Sequence, residues 1–340
     1  MLQPAPGKRV TWRVDRRCFV LNDQTPLKGL TPTLAKTFYP AYREPRASRG
    51  PLAESKLAPD ARRAVREVTG LAGLELGTTV DREVTQWVRL IWNHGLQWAH
   101  VLPTAERPSP PLPRTLLDNA AECARLRHLQ HNSNLYTRRF LRELANRQLV
   151  PVASQLCVGS LDARLGTAVD VVCALSTGVQ RLPEGRWLLR PGATVVLLEL
   201  KCGWEQTYQR YCGRMKAPLA HLTDSPEHQH QLQLLLTRIL FERTYRGRGH
   251  AVSSAAVVRV HSAGVTWYPQ RAWTDQEQIA IWQALVARRL QPSTQAAHAR
   301  ERRRVQRLSA AAAAAGGVYA PQASARRTAR RRTARRTRTS

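Results

Sequence analysis

This chain of 340 residues carries 53 lysines and arginines against 24 aspartates and glutamates, which gives it a formal net charge of +29. So large a positive charge calls for a polyanionic partner, most simply nucleic acid, and the 43% of hydrophobic residues supports a folded core. The sequence has neither an apolar signal region nor a membrane-spanning segment, so we expect an intracellular protein without a membrane partner, located in the host nucleus if it works in a eukaryotic cell.

The six cysteines are predicted to be reduced residues, several of them in the core. They lack Cys-x-x-Cys spacing, and Cys202 and Cys212 have no histidine partner at zinc-finger spacing. We therefore expect neither a disulfide framework nor a structural zinc ion.

The first 130 residues are predicted to contain two regions. Residues 1–60 form a hairpin with its turn near Asn22 and Asp23, a short helix after Pro32 and a basic loop. Residues 61–130 form a helical region with a proline-rich linker. One helix face there is apolar and is predicted to be core rather than a surface for stacking bases; it contains Val84, Trp87, Val88, Ile91 and Trp92.

A further helical stretch, residues 116–146, has a basic face. It carries Arg125, Arg127, Arg138, Arg139, Arg142 and Arg147. Such a face either tracks a DNA backbone or is an ordinary solvated helix surface.

Residues 131–291 are predicted to hold the functional site, on two strands and a helix. Asp170 leads into one apolar strand, and the next strand, residues 195–201, carries Glu199 and Lys201 on the same face, because side chains alternate along a strand. An acid on one strand and Glu-x-Lys on the next is the minimal equipment for metal-dependent hydrolysis of a phosphodiester. As a bare pattern it is also that of a surface strand with an ion pair, but the β-branched surroundings are typical of central strands.

The helix that follows is marked by Ser225 as its N-cap and Pro226 at its first position. Gln231 lies in its first turns, at the edge of an apolar stripe, where it could reach the neighbouring sheet or be an ordinary boundary residue. His228 and His230 point to different sides of the helix, so we do not expect them to bind a metal together.

Together these segments resemble the PD-(D/E)XK nuclease superfamily, and within it the lambda-exonuclease and RecB-like branch of phages and large DNA viruses. The segments are Gly166-Thr167-Ala168-Val169-Asp170, Leu198-Glu199-Leu200-Lys201 and Gln231-Leu232-Gln233-Leu234. The resemblance covers roughly residues 131–270 and extends more loosely to residues 17–40.

The resemblance implies an α/β (α+β) fold with a restriction-endonuclease-like α-β-β-β-α-β core. The residue patterns add a helical N-terminal region and a disordered basic C-terminal tail to it. The resemblance also implies that Asp170, Glu199 and the backbone carbonyl of Leu200 bind Mg²⁺ (or Mn²⁺). Lys201 would orient or deprotonate the attacking water, and Gln231 would hold the lysine or the nucleophile.

The chain departs from this family at Gln155, where many relatives have a glutamate. An amide brings no charge, and Mg²⁺ prefers carboxylates, so a second metal position is in doubt. Glu143 could substitute as an outer ligand, or it could be a solvent-facing helix residue among arginines.

After a helix opened by a Thr274–Glu277 capping box, residues 292–340 are predicted to be a basic, low-complexity tail, of which residues 325–340 are predicted to be disordered. The tail can serve as a nuclear-localisation signal, a nonspecific grip on DNA, or both. Its predicted DNA-binding residues are Arg326, Arg327, Arg330, Arg331, Arg332, Arg335, Arg336 and Arg338.

The leading hypothesis is a Mg²⁺-dependent deoxyribonuclease of viral origin that serves DNA replication, recombination or genome processing. A rival is a nuclease-fold protein that binds DNA without cutting it, which Gln155 and the high charge favour. A third hypothesis is a DNA-packaging protein in which the arginine tail is the main functional element.

Overall fold

The computed structural model describes residues 2, 4, 8–15, 18–40, 73–103, 110–203, 208–209, 213–245 and 250–290. All described residues except 289 and 290 belong to one compact unit, residues 1–288. The tail with its eight arginines, the basic loop before residue 60 and Cys212 lie outside the described residues.

This unit has a mixed α/β architecture built around one large, mostly antiparallel sheet. Its strands are β1 (Val10–Arg13), β2 (Cys18–Leu21), β3 (Thr25–Gly29), β4 (Leu149–Ser160), β5 (Leu165–Leu175), β6 (Val179–Arg181), β7 (Trp187–Leu189), β8 (Val195–Cys202), β9 (Val252–His261) and β10 (Gly264–Pro269). The described helices are α1 (Leu30–Phe38), α2 (Gly73–His94), α3 (Trp98–Val101), α4 (Arg114–Leu117), α5 (Ala120–Asn132), α6 (Leu135–Asn146), α7 (Pro226–Tyr245) and α8 (Asp275–Leu290).

The large sheet has the order β1-β2-β3-β5-β8-β9-β10, and β4 pairs with β5. Two of its pairings are parallel, β3 with β5 and β8 with β9, and the others are antiparallel. Strands β6 and β7 form a separate small sheet. Strands β5 and β8 therefore lie in the interior of the large sheet, where their continuous apolar runs are buried.

Apolar clusters cover both faces of the sheet. On one face, Leu232, Leu236 and Leu240 of α7 pack with Val172 and Leu197 of the sheet. On the other face, the buried residues of the cluster are Leu76, Val80, Val84, Val88, Tyr136, Phe140, Leu144, Val171, Cys173, Val196, Leu198, Leu200, Ala256, Val258 and Val260, among others. The predicted core tryptophans, Trp87 and Trp92, are buried.

Several local predictions are confirmed. The turn between β2 and β3 contains Asn22 and Asp23, both in the left-handed region. Ser225 accepts a hydrogen bond from the backbone of His228 in the first turn of α7, and Thr274 and Glu277 form the reciprocal capping box of α8. The five described cysteines are free thiols, of which Cys173 is fully buried.

The predicted helical stretch 116–146 is instead three helices, α4, α5 and α6. Asn119 accepts a hydrogen bond from the backbone of Glu122, and Asn134 accepts one from the backbone of Tyr136. Each asparagine thus starts a new helix, since an N-cap side chain satisfies the first free N–H groups. None of the helices described is long and apolar enough to cross a membrane.

Candidate active site

Three polar residues lie side by side across three strands. Val171 of β5 pairs with Leu198 of β8, so the next position on each strand places Asp170 opposite Glu199. On the other side of β5, the register of β4 places Gln155 opposite Asp170. The prediction that Glu199 and Lys201 lie on one face is confirmed, and the structure places Asp170 on that face too, because the alternate residues Val171, Leu198 and Leu200 all belong to the apolar cluster on the opposite face.

Asp170 is held at the point where β5 and β8 separate. Its Oδ2 accepts a hydrogen bond of 2.8 Å from the backbone N–H of Leu200, and its own carbonyl accepts one of 2.9 Å from the Ser154 hydroxyl. The Leu200 N–H is therefore directed at a carboxylate instead of at a strand, which fixes the position of Asp170 relative to β8.

Glu199 is the most buried acid of the site, with 1% of its side chain exposed. Its Oε1 accepts hydrogen bonds of 2.5 Å from Lys201 Nζ and of 2.5 Å from Gln233 Nε2. Its Oε2 is also buried and accepts no hydrogen bond from a donor among the described residues. The Asp170 carboxylate lies within hydrogen-bonding reach of Glu199, which favours the protonated form of Glu199. Burial, followed by the nearby Asp170 carboxylate, raises the pKa of Glu199 to about 7.

Lys201 remains the cationic partner of the two acids. Burial disfavours its ammonium form, but the carboxylates of Glu199 and Asp170 outweigh that effect and raise the pKa of Lys201. Its side chain is 19% exposed, so the amine can meet a ligand from solvent while it contacts Glu199.

A third acid, Asp81 of α2, reaches the site through Gln155. Gln155 Nε2 donates to Asp81 Oδ1 at 2.7 Å and lies 3.5 Å from Asp170 Oδ1. Burial and the Asp170 carboxylate raise the pKa of Asp81. Gln155 adopts a φ of 51°, a strained conformation for a residue with a side chain, and its amide connects the two carboxylates.

Sequence reasoning missed Asp81, although the helix carries a signal. Asp81 directly follows Val80 in the buried stripe of Leu76, Val80 and Val84, so it lies at the boundary of the helix face that packs on the sheet. The neighbouring acids Glu75 and Glu83 give a similar local pattern, and only the packing of α2 distinguishes Asp81 from them.

The prediction that Gln231 joins the site is wrong. Its Nε2 donates to the Pro269 carbonyl at 3.0 Å, and its Oε1 accepts a hydrogen bond of 2.9 Å from the Arg271 backbone. Residues two apart on a helix differ in direction by roughly 200°, so Gln233 and not Gln231 reaches Glu199.

Glu143 and the two histidines of α7 have partners of their own. Glu143 forms an ion pair of 2.7 Å with Arg147, the residue that directly follows α6. His228 contacts Thr223 and Ser225, whereas His230 contacts the Tyr208 hydroxyl at 3.2 Å. The different partners of His228 and His230 agree with the expectation that they do not act as a pair.

The basic face predicted for residues 116–146 is partly committed to internal contacts. Arg139 donates to the carbonyls of His261 and Ser262, and the Arg147 guanidinium lies 4.2 Å from the centre of the Trp267 ring. Arg138 and Arg142 are exposed. These two arginines are therefore the ones on α6 that remain open to a phosphate backbone.

The donor atoms of the site fit a divalent cation. Hard cations prefer carboxylate oxygens, and the site combines Asp170 with the buried Oε2 of Glu199, which accepts no hydrogen bond from a described donor. No group of three or more histidine, cysteine, aspartate or glutamate side chains is arranged to hold a metal within the described part of the chain. A cation here would therefore need ligands besides these two carboxylates, such as the Leu200 carbonyl or water.

Comparison with known protein families and with characterised proteins finds no match to this chain.

Proposed function

We propose that the protein is a divalent-metal-dependent deoxyribonuclease of the PD-(D/E)XK type. The observation that carries the proposal is the position of Asp170 opposite Glu199 on the neighbouring strand, with Lys201 beside them and a buried Glu199 oxygen that accepts no hydrogen bond from a described donor. Catalytic sites are where such perturbed and incompletely satisfied groups concentrate.

The order of elements supports a restriction-endonuclease-like core. Helices α2 and α6 precede strands β4, β5 and β8, which are followed by helix α7 and strand β9. That order is the α-β-β-β-α-β sequence that the resemblance implies, with the small β6-β7 sheet inserted before β8.

The residues of the site have separate roles in the proposed reaction. A bound Mg²⁺ or Mn²⁺ would neutralise phosphate charge and lower the pKa of a water molecule. Asp170 and Glu199 would hold the cation, and Gln233 and the Leu200 N–H fix the orientation of these two carboxylates. Lys201 uses one N–H on Glu199, which leaves two donors to orient a water molecule or a phosphate oxygen.

Asp81 and Gln155 would tune the site from its other side. Asp81 supplies a carboxylate close to the position where Gln155 replaces a glutamate. The Gln155 amide holds Asp81 by donating to one of its oxygens, and the other oxygen can accept a hydrogen bond from a metal-bound water.

The proposed substrate is DNA, and the proposed setting is viral DNA replication, recombination or genome processing. The net charge of +29 supports a polyanionic substrate. The viral setting is supported by the resemblance of the segments around Asp170, Glu199 and Gln231–Leu234 alone.

A second candidate is a DNA-binding protein that keeps the nuclease fold without cutting. The direct ion pair between Lys201 and Glu199 favours it, because a lysine tied to a metal ligand opposes binding of a second cation. Gln155 favours it as well, since it removes one negative charge from the site.

The experiment that separates these candidates uses the full-length protein, end-labelled single-stranded and duplex DNA, and either Mg²⁺ or Mn²⁺. We expect cleavage that a chelator stops and that Lys201→Ala abolishes while DNA binding is retained. Lys28→Ala, at an exposed lysine of β3, is the matched control and should cut like the wild type. A wild-type protein that binds DNA and never cuts it with either metal would establish the non-catalytic candidate.

A further inference from the structure

A cleft of about 470 Å³ lies between helix α7, the start of strand β9 and the segment that joins β10 to α8. Leu235, Ile239 and Ala255 contribute apolar surface, and Arg238 and Arg271 contribute positive charge. The volume is within the range of roughly 300–1,000 Å³ that is usual for sites of small organic ligands. Such a cleft can hold a ligand with both an apolar and an anionic part.

The cleft is separate from the candidate active site. Gln233 of α7 reaches Glu199, whereas Gln231 reaches the segment at Pro269 and Arg271 that lines the cleft. Since these two glutamines point to opposite sides of the helix, α7 lies between the cleft and the carboxylates.

Two residues that line the cleft each have a buried donor atom without a hydrogen-bond partner among the described residues. These atoms are the indole Nε1 of Trp273 and the Nε of Arg271. Trp273 as a whole is 8% exposed. Buried polar groups are nearly always paired, so each such exception calls for a physical explanation. Both groups are donors, and the ligand that would satisfy them must bring acceptor oxygens.

The charged residues that line the cleft are two arginines, Arg238 and Arg271, and one acid, Glu242. Arg238 is engaged by Glu242 at 2.8 Å and by Gln270 at 3.0 Å. The distance from the Arg271 guanidinium to the Glu277 carboxylate is 3.6 Å, which is too long for a good hydrogen bond. The same guanidinium lies 5.2 Å from the centre of the Trp273 ring. Arg271 is thus a cation with donors to spare beside the unpaired indole.

The segment that carries these donors is fixed in place. Gln231 binds it at two backbone positions, Gln270 donates its backbone N–H to Ala255, and Gln278 donates to the Trp273 carbonyl. A site held in advance in this way loses little conformational entropy when a ligand binds.

We propose that this cleft binds a nucleotide, with the phosphate accepting hydrogen bonds from Arg271 and Trp273 and the base lying against the apolar wall. Arginine is suited to phosphate because its planar guanidinium presents several donors to the anionic oxygens. The nucleotide can be free or can belong to a nucleic-acid strand that follows the basic surface. The proposal does not depend on hydrolysis at Asp170 and Glu199.

The test is calorimetric titration of the full-length protein with adenosine monophosphate, inorganic phosphate and a 5′-phosphorylated hexanucleotide, all in chelator so that no cleavage occurs. Trp273→Phe keeps the ring and removes the donor, and Arg271→Gln removes the charge but keeps the backbone N–H that Gln231 holds. We expect each substitution to weaken binding by about tenfold or more, since each removes a hydrogen bond to a charged group.

Trp267→Phe is the matched control, because the indole Nε1 of Trp267 is also buried without a described partner but lies outside the cleft. It should leave binding unchanged, and thermal unfolding of all three variants establishes that they are folded. If the Trp273 and Arg271 substitutions weaken the binding of adenosine monophosphate, the cleft is assigned to free nucleotides. If they weaken only the binding of the hexanucleotide, the cleft is assigned to a nucleic-acid strand. The proposal is overturned if none of the three probes binds the Trp273 and Arg271 variants more weakly than the Trp267 variant.

Discussion

At Glu199, one carboxylate oxygen accepts two hydrogen bonds while the other is buried and accepts none from a described donor. Leaving a buried polar atom unsatisfied costs about 1–3 kcal/mol. The site therefore carries a local instability that a cation or a proton would relieve, and this can be measured without any assay of activity.

The first prediction at this scale is that Glu199→Gln stabilises the metal-free protein at neutral pH. The folded protein raises the pKa of Glu199 from 4.5 to about 7, so the folded state binds more protons than the unfolded state between these values. The contribution of Glu199 to stability is therefore full below pH 4.5 and is lost as the pH rises toward 7.

Urea unfolding in chelator at pH 5 and at pH 7.5 measures the effect. The variant should exceed the wild type by about 1–3 kcal/mol at pH 7.5, and the difference should shrink at pH 5, where both side chains are neutral. The same variant should not cleave DNA. A wild type that is more stable than Glu199→Gln at pH 7.5 would show that Lys201 and Gln233 fully compensate the buried charge.

Strand residues of the site were more predictable from the sequence than helix residues. The direction of a strand side chain follows from its position in the alternation, so the sequence alone places Glu199 and Lys201 on one face. The pairing of β5 with β8 decides that Asp170 lies on that face as well. The direction of a helix side chain toward a sheet depends on how the helix is rotated, which packing decides. For this reason Gln233 and Asp81 were missed, and Gln231 was chosen in error.

The two glutamines of α7 give a prediction at the scale of the element. Gln233→Ala removes a hydrogen bond to Glu199. Because a hydrogen bond to a charged group contributes about 1.5–3 kcal/mol, kcat should fall by roughly tenfold. The affinity for DNA should not change. Gln231→Ala leaves the Pro269 carbonyl and the Arg271 N–H without their partner, so it should lower stability by about 1–3 kcal/mol and leave kcat unchanged below the melting temperature.

Single-turnover cleavage and urea unfolding of both variants test this pair. Each variant is the control for the other, since both remove the same amide from the same helix two residues apart. A loss of kcat in Gln231→Ala with no loss in Gln233→Ala would reverse the assignment made from the hydrogen bonds.

At the scale of the whole molecule, the sequence predicted the elements better than their pairing. The N-terminal hairpin was expected, but its attachment to the main sheet depends on Lys28 and Gly29 of β3, which pair in parallel with Leu165 and Gly166 of β5. Partners so distant in the sequence share no local pattern. Gly166 is needed at this junction, because a Cβ there would lie 2.6 Å from a side-chain atom of Phe19.

The charge of the chain gives the last prediction, which concerns residues 325–340. Deleting them removes eight arginines and no acid. Arginines that neutralise phosphates release counterions, so the slope of log affinity against log salt for duplex DNA should flatten by about 0.9 for each phosphate that is no longer neutralised. Nonspecific affinity at physiological salt should fall accordingly.

Fluorescence anisotropy of labelled duplex DNA measures that slope. The titrations cover roughly 50 to 200 mM salt, the interval over which added salt strongly weakens binding to phosphates. A variant with all eight arginines changed to lysine keeps the charge and should keep most of the slope, whereas one with eight glutamines should match the deletion. Cleavage at low salt and saturating DNA should stay near wild type in all of them, because the proposed chemistry depends on Asp170, Glu199 and Lys201. Unchanged affinity in the deletion would assign the tail to localisation or to another partner, and a folded deletion that fails to cut at saturation would mean that the tail contributes to the active site.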